Sequence, residues 1–186
     1  MLPPIQVGQP APDFTARDHQ GNTVHLADLR GRYVLLTFQR NAGCPICNLR
    51  FHDLEQQAAH FRAENVVVLA VYESSAATLG RYLAGEPAPY TRLVPDPDER
   101  LYKLYRVERS TTKMLSGFML HGGMGKMSAS KKLGNALPKQ DGHANRVGAD
   151  FLIGPDGNVV QAHYHRFVGD DLPLAQLRLP ASAPIR

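Results

Sequence analysis

The chain has 186 residues, 43% of them apolar, which predicts a single compact domain spanning residues 1–186 with a hydrophobic core of its own. The first residues, MLPPIQVGQPAPDF, carry no basic stretch ahead of an apolar run, and no stretch approaches the roughly 20 apolar residues that span a bilayer, so a soluble, cytoplasmic protein without membrane contact is expected. The net charge of +4 is uneven: from Arg109 to Arg146 the chain has seven cations and one acid, Asp141, a surplus of +6 on a body that sums to −2, which speaks against nucleic acid as a partner of the whole surface.

Along the chain, Arg32 to Phe38 (RYVLLTF) and Val66 to Tyr72 (VVVLAVY) are continuous apolar runs rich in β-branched residues. Runs of that length predict strands buried on both faces of a parallel or mixed sheet. Between them Cys47, Phe51, Leu54, Ala58 and Phe61 recur at helical spacing, so one helix should join the strands in a right-handed crossover. Ser75 to Ala84 predicts a short helix and Leu93-Val94 a brief strand. Asp96-Pro97-Asp98-Glu99 then reads as a helix start, with an acid to cap, a proline in first position and Leu101, Leu104 and Tyr105 on the buried face. From about Ser110 to Asn145 the periodicity fails. That segment holds Met114, Met119, Met124 and Met127 with Gly117, Gly122, Gly123, Gly125, Gly134 and Gly142, the composition of a mobile basic insertion. Asp150 to Ile153 and Val159 to His165 flank the turn cluster Gly154–Asn158 as a β-hairpin, and Asp171 to Leu177 should close the domain as a short helix capped by Asp170 or Asp171.

Both cysteines lie in "LLTFQRNAGCPICNLRF". If the helix begins at or just after Cys44, with Pro45 in its first position, the unpaired N–H groups and the positive end of the helix dipole favour the Cys44 thiolate. Arg40 adds positive charge from the loop. Cys47 is three residues on, on the same helical face and at the head of the buried stripe, which leaves Cys44 as the accessible nucleophile and Cys47 as the shielded partner that resolves its product as a disulfide. Two other readings stay open on the residues alone. The cysteines are ordinary core residues, or they form half of a zinc site completed by His163 and His165, which alternate on one strand.

Other signals carry less. "GGMGKMSASKK" lacks the Ser or Thr after Lys126 and the preceding strand that a phosphate-binding loop needs, and its KMSAS has no partner motif. The insertion offers one aromatic, Phe118, to stack on bases. His52 and His60 fall outside the apolar stripe of their helix and should face solvent.

The opening "VGQPAPDFTARDHQGNTVHLADLRGRYVLLTF", the helix start "GCPICNLRFHDL" and the late "ADFLIGPDGNVVQAHY" resemble the peroxiredoxin-like AhpC/TSA group of redoxin proteins. The resemblance implies an α/β thioredoxin-like fold, a central mixed sheet flanked by helices, interrupted by the basic Gly/Met-rich insertion at about 110–145. It further implies a nucleophile at Cys44, peroxide or disulfide as substrate, a thioredoxin- or glutathione-like thiol as electron donor, no cofactor and no bound metal, with a homodimer left open. Where the family carries Pro and Thr ahead of its nucleophile, this chain has Thr37 and Asn41. At the place of the family's late arginine stands Gly148, with Arg146 two residues earlier. Cys44, Cys47, Arg40 and Asn41 are therefore the expected site residues of an antioxidant thiol reductase. The alternatives are a dithiol–disulfide oxidoreductase and a non-enzymatic redox-sensing or zinc-binding scaffold.

Overall fold

The structure is a computed structural model and describes residues 3–84, 89–132 and 139–179. It opens with an antiparallel hairpin of β1 (Thr15–Arg17) and β2 (Thr23–His25). The hairpin turn is tied by Asp18, which accepts N–H bonds from Gln20 and Asn22 and pairs with Arg92 at 2.9 Å. Next come β3 (Tyr33–Phe38), α1 (Pro45–Gln56), α2 (Ala58–Ala63) and β4 (Val66–Tyr72). The chain continues through α3 (Ala76–Tyr82), β5 (Arg92–Pro95), α4 (Arg100–Leu104), α5 (Thr111–Leu120) and α6 (Gly123–Lys132), and ends with β6 (Ala149–Ile153) and β7 (Val159–Tyr164).

Five strands pair in the order β5-β4-β3-β6-β7, the first three parallel and the last two antiparallel to their neighbours, so the expected mixed sheet is present. The unbroken apolar runs of β3 and β4 follow from burial on both faces. Leu36, Phe38, Leu69 and Val71 join Phe151 on one side, while Leu35, Val66 and Val68 meet Leu54 and Phe61 on the other. The helix between them is not continuous. It breaks at Gln57, although Leu54 and Phe61 on either side still share one core cluster.

Asp96 caps α4 as expected, accepting the N–H groups of Arg100, Leu101 and Tyr102 at 2.8–3.2 Å. The helix nevertheless starts three residues beyond Pro97, because Glu99 stands in the left-handed region at φ 57°. The final segment makes a 3-10 turn at Leu174–Gln176 in place of the expected helix, and neither Asp170 nor Asp171 caps it: Asp170 binds Arg166, and Asp171 faces Lys126 at 3.7 Å.

The largest departure from expectation is at residues 111–132, where two helices form. Ser110 caps α5, accepting the Lys113 N–H at 3.3 Å. Two of the glycines serve close approach: a Cβ at Gly117 would stand 2.7 Å from the Val168 carbonyl, and one at Gly123 would stand 2.8 Å from the Gly117 carbonyl. Four of the seven cations of the basic segment meet acids: Arg109 meets Glu99, Lys113 meets Glu108, Lys126 meets Asp171, and Arg146 meets both Glu73 and Glu99. Gly134 lies outside the described residues.

Strand directions decide what gathers at one end of the sheet. The parallel strands β3 and β4 both end there, at Phe38 and Tyr72, while antiparallel β6 begins there, with Ala149 opposite Phe38, and β7 returns there, with Tyr164 opposite Ala149. Residues 39–48, 72–75, 141–150 and 163–172 are thereby brought together at the start of α1.

Candidate active site

Cys44 is the N-cap of α1, with φ −84° and ψ 115° and Pro45 directly after it. Its sulfur accepts the Cys47 N–H at 3.4 Å and lies 3.6 Å from Nη1 of Arg40. The loop before it is held from two sides. Asn48 donates through Nδ2 to the Ala42 and Cys44 carbonyls at 2.7 and 3.1 Å, and Ser74 Oγ accepts the Ala42 N–H at 2.8 Å while donating to Asp141 at 2.6 Å. The Cys47 sulfur accepts the Arg40 N–H at 3.4 Å, and both cysteines are free thiols.

Electrostatics separates the two sulfurs. Burial pushes the Cys44 thiol up, but the Cys47 thiol, the Arg40 guanidinium and the N–H groups of Cys47 and Ile46 outweigh it and bring the thiol down to about 7. Burial pushes Cys47 well above its ordinary value, and the hydrogen bond to Cys44 and the Cys44 charge add to that. The expected division of acidity is therefore present, with one difference. Cys44 is 0% exposed and Cys47 4%, so neither thiol is open to solvent. Met114 and Phe118 of α5 and Met127 of α6 pack, with Phe51 and Ala84, on the apolar cluster that contains both cysteines.

Asn41 is fully buried beside the nucleophile's loop, and both its amide atoms lack hydrogen-bond partners among the described residues. Leaving a buried amide unpaired costs about 1–3 kcal/mol. Thr37 lies within β3, its hydroxyl accepting from Gln39 Nε2 at 2.6 Å. The late arginine is accounted for differently. Arg146 pairs with Glu73 at 2.5 Å and Glu99 at 2.6 Å and stacks over Tyr102, while Arg40 is the guanidinium beside Cys44. At Gly148 a Cβ would stand 2.6 Å from both His165 Nδ1 and the Phe38 carbonyl, so the imidazole occupies the space a side chain there would need.

Sequence reasoning named His165 only as a candidate zinc ligand and missed Arg50, on the same helix as Cys47, together with Asp150 and Tyr72 from distant segments. Among them, the hydroxyl of Tyr72 is buried with no partner among the described residues. The zinc arrangement of Cys44 and Cys47 with His163 and His165 does not form: His163 Nε2 contacts the Asp170 carbonyl at 2.6 Å and His165 Nε2 contacts Asp150 at 2.9 Å. Among the described residues, two groups have metal-ligand spacing, Glu73/Glu99/His143 and Asp150/His165/Asp171, and neither includes a cysteine. Both are faced by cations, Arg146 in the first and Arg50 with Lys126 in the second. No helix among the described residues is long and apolar enough to cross a membrane.

The family model described as the AhpC/TSA family matches residues 7–162. The chain belongs to the AhpC/TSA family. It is 29% identical over 92 residues to Peroxiredoxin Bcp of Bacillus subtilis, covering 50% of this chain and 59% of that one. It is also 34% identical over 67 residues to the thiol-disulfide oxidoreductase ResA of the same organism, covering 36% of this chain and 37% of ResA. The chain thus spans less than two thirds of the length of either relative. Among solved structures, Xanthomonas campestris Peroxiredoxin Q superposes with a TM-score of 0.60 over 86% of this chain and 85% of its own, at 18% identity. That likeness and the mixed sheet agree with the thioredoxin-like α/β fold the AhpC/TSA resemblance implied.

Proposed function

We propose that this protein is a thiol-dependent reductase of peroxides, with Cys44 as the attacking thiolate and Cys47 as the thiol that resolves it within the same chain. The observation that carries this reading is the contrast between two neighbouring thiols. One is brought to about 7 by the Cys47 thiol, Arg40 and helix N–H groups against burial, and the other is pushed well up by burial and by Cys44. In the first step the Cys44 thiolate attacks a peroxide oxygen, the O–O bond breaks, and the alcohol or water leaves with a proton, which makes Cys44 a sulfenic acid. In the second, Cys47 loses its proton and attacks the Cys44 sulfur, forming the disulfide as water leaves. A thioredoxin- or glutathione-like thiol then restores both cysteines. In this reading Arg40 stabilises the thiolate, and Asn41, whose amide N–H and carbonyl lack partners among the described residues, hydrogen-bonds the peroxide oxygens.

A second reading, dithiol–disulfide exchange with a protein or small-molecule disulfide, is favoured by the Cys-Pro-x-Cys spacing and by Thr37 and Asn41 in place of the family's Pro and Thr. Anaerobically reduced protein given one equivalent of hydrogen peroxide separates the two. Rapid loss of two mass units supports the peroxidase, whereas inertness to peroxide with ready oxidation by a small disulfide overturns it in favour of the exchange enzyme. Stoichiometric zinc on the reduced cysteines would overturn both.

A further inference from the structure

Beside the cysteines lies a buried charge cluster that the chemistry above does not use. Asp150, on β6, is fully buried, and its Oδ2 accepts from His165 Nε2 at 2.9 Å and from the Leu172 N–H at 2.8 Å, while Oδ1 faces Arg50 Nη2 of α1 at 3.7 Å. His165 is itself 3% exposed. With Asp150 bound to Nε2–H, the neutral imidazole has its lone pair on Nδ1, the atom that lies over Gly148. Gly148, His165, Arg40, Cys47 and Asp171 line a single narrow pocket. The two carboxylates of the cluster each face a cation, Asp150 with Arg50 and Asp171 with Lys126, which disfavours a metal ion and leaves the imidazole as the group free to gain or lose a proton.

We propose that His165, oriented by Asp150, accepts the proton of Cys47 in the step that closes the Cys44–Cys47 disulfide. The proposal rests on the reading of Cys44 as nucleophile and Cys47 as resolving thiol. Cys47 needs such an acceptor because its surroundings keep it protonated. The proton passes from Cys47 Sγ to His165 Nδ1, the Cys47 sulfur attacks the Cys44 sulfur, and the S–O bond of the sulfenic acid breaks. The departing hydroxide takes the proton from the His165 imidazolium and leaves as water, which restores the neutral ring. With a mixed disulfide on Cys44 the same transfer expels a thiolate. The groups facing the imidazole set its titration. Burial lowers its pKa, Asp150 raises it through charge and hydrogen bond, Asp171 raises it and Arg50 lowers it, with a net upward displacement; the His163 ring lies 5.4 Å away, and Arg40 and Cys47 stand across the pocket. The base form is therefore gained as pH rises through a value above 6.5.

The test follows both steps by intact mass in acid-quenched samples of the reduced protein, mixed in one arm with hydroxyethyl disulfide and in the other with hydrogen peroxide. The adduct on Cys44 reports the first step and its conversion to the internal disulfide reports the second. In the wild-type protein the closure rate should rise with pH and inflect at the His165 pKa, read independently from the ring resonances by NMR. His165→Gln, whose amide N–H still reaches Asp150, should form the adduct at an unchanged rate and close about 100-fold more slowly at neutral pH. Its pH rise should move toward the higher range of an unassisted thiol. Closure with the same rate and profile in His165→Gln, or a wild-type inflection away from the ring's pKa, overturns the proposal alone. No adduct on Cys44 with either oxidant overturns the underlying reading and this proposal with it.

Discussion

Replacing Arg40 with methionine removes the guanidinium 3.6 Å from the Cys44 sulfur while keeping most of the buried stem. At that distance and an effective dielectric of about 20, the charge pair is worth about 5 kcal/mol. The net displacement of the thiol from 9.0 to about 7 corresponds to about 3 kcal/mol, the rest being offset by burial. Without Arg40 the remaining stabilisers are the Cys47 thiol and helix N–H groups, and burial brings the Cys44 thiol back to about 9 or above. The thiolate fraction at pH 7 then falls from about one half to about 1%. Because a more basic thiolate is about tenfold more nucleophilic, the net slowing toward a small disulfide should be near fivefold, roughly, rather than fiftyfold. The midpoint is read from thiolate ultraviolet absorbance against pH, with Cys47 silent because its own pKa is far higher. A midpoint that stays near 7 in Arg40→Met would refute the assignment of the cation and return the acidity to the helix terminus.

Cys44→Ser should abolish reaction with peroxide or disulfide, whereas Cys47→Ser should react once and stall as a sulfenic acid or mixed disulfide, as intact mass would show; the opposite pattern reverses the roles. Asn41→Leu should slow peroxide reduction about tenfold by removing a hydrogen bond to the substrate, yet leave small-disulfide reaction and denaturant stability nearly unchanged, because the amide has no partner among the described residues to lose. Asp150→Asn should cost about 3–5 kcal/mol at neutral pH by breaking a buried ion pair, measured by chemical denaturation. Burial raises the Asp150 carboxyl, but Arg50 and His165 hold it well below 3.8, so its contribution is whole above 3.8 and is lost as pH falls toward the folded value. The gap between Asp150→Asn and wild type should therefore narrow in acid. His165 has the opposite sign: raised in the fold, it contributes fully below 6.5 and its share fades as pH rises through the folded value.

Local sequence carried the setting of Cys44, since Arg40, Asn41, Cys44, Pro45 and Cys47 lie within eight residues and their relations follow from a strand ending and a helix beginning. His165 and Asp150 were beyond that reach. Their pairing depends on the antiparallel register that sets Asp150 opposite His163, and on Gly148, whose lack of a side chain admits the ring. The helices α5 and α6 were hidden for a different reason: glycines that lower helix propensity are there to let backbones touch. The Ser110 cap and the Met114–Phe118 spacing were the available signals for α5.

Cys44 and Cys47 are unexposed, in a cluster on which Met114, Phe118 and Met127 pack, so reaction at either thiol would depend on an opening of the packing around it as well as on a thiolate. An oxidant too bulky to enter the closed packing would meet Cys44 only in molecules where it has opened, and its observed rate would be the intrinsic rate multiplied by that open fraction. An opening free energy of about 3 kcal/mol would slow such an oxidant by about 100-fold. A small oxidant would need a smaller breach and meet less of that penalty, so burial of this kind would rank oxidants by size ahead of the chemistry.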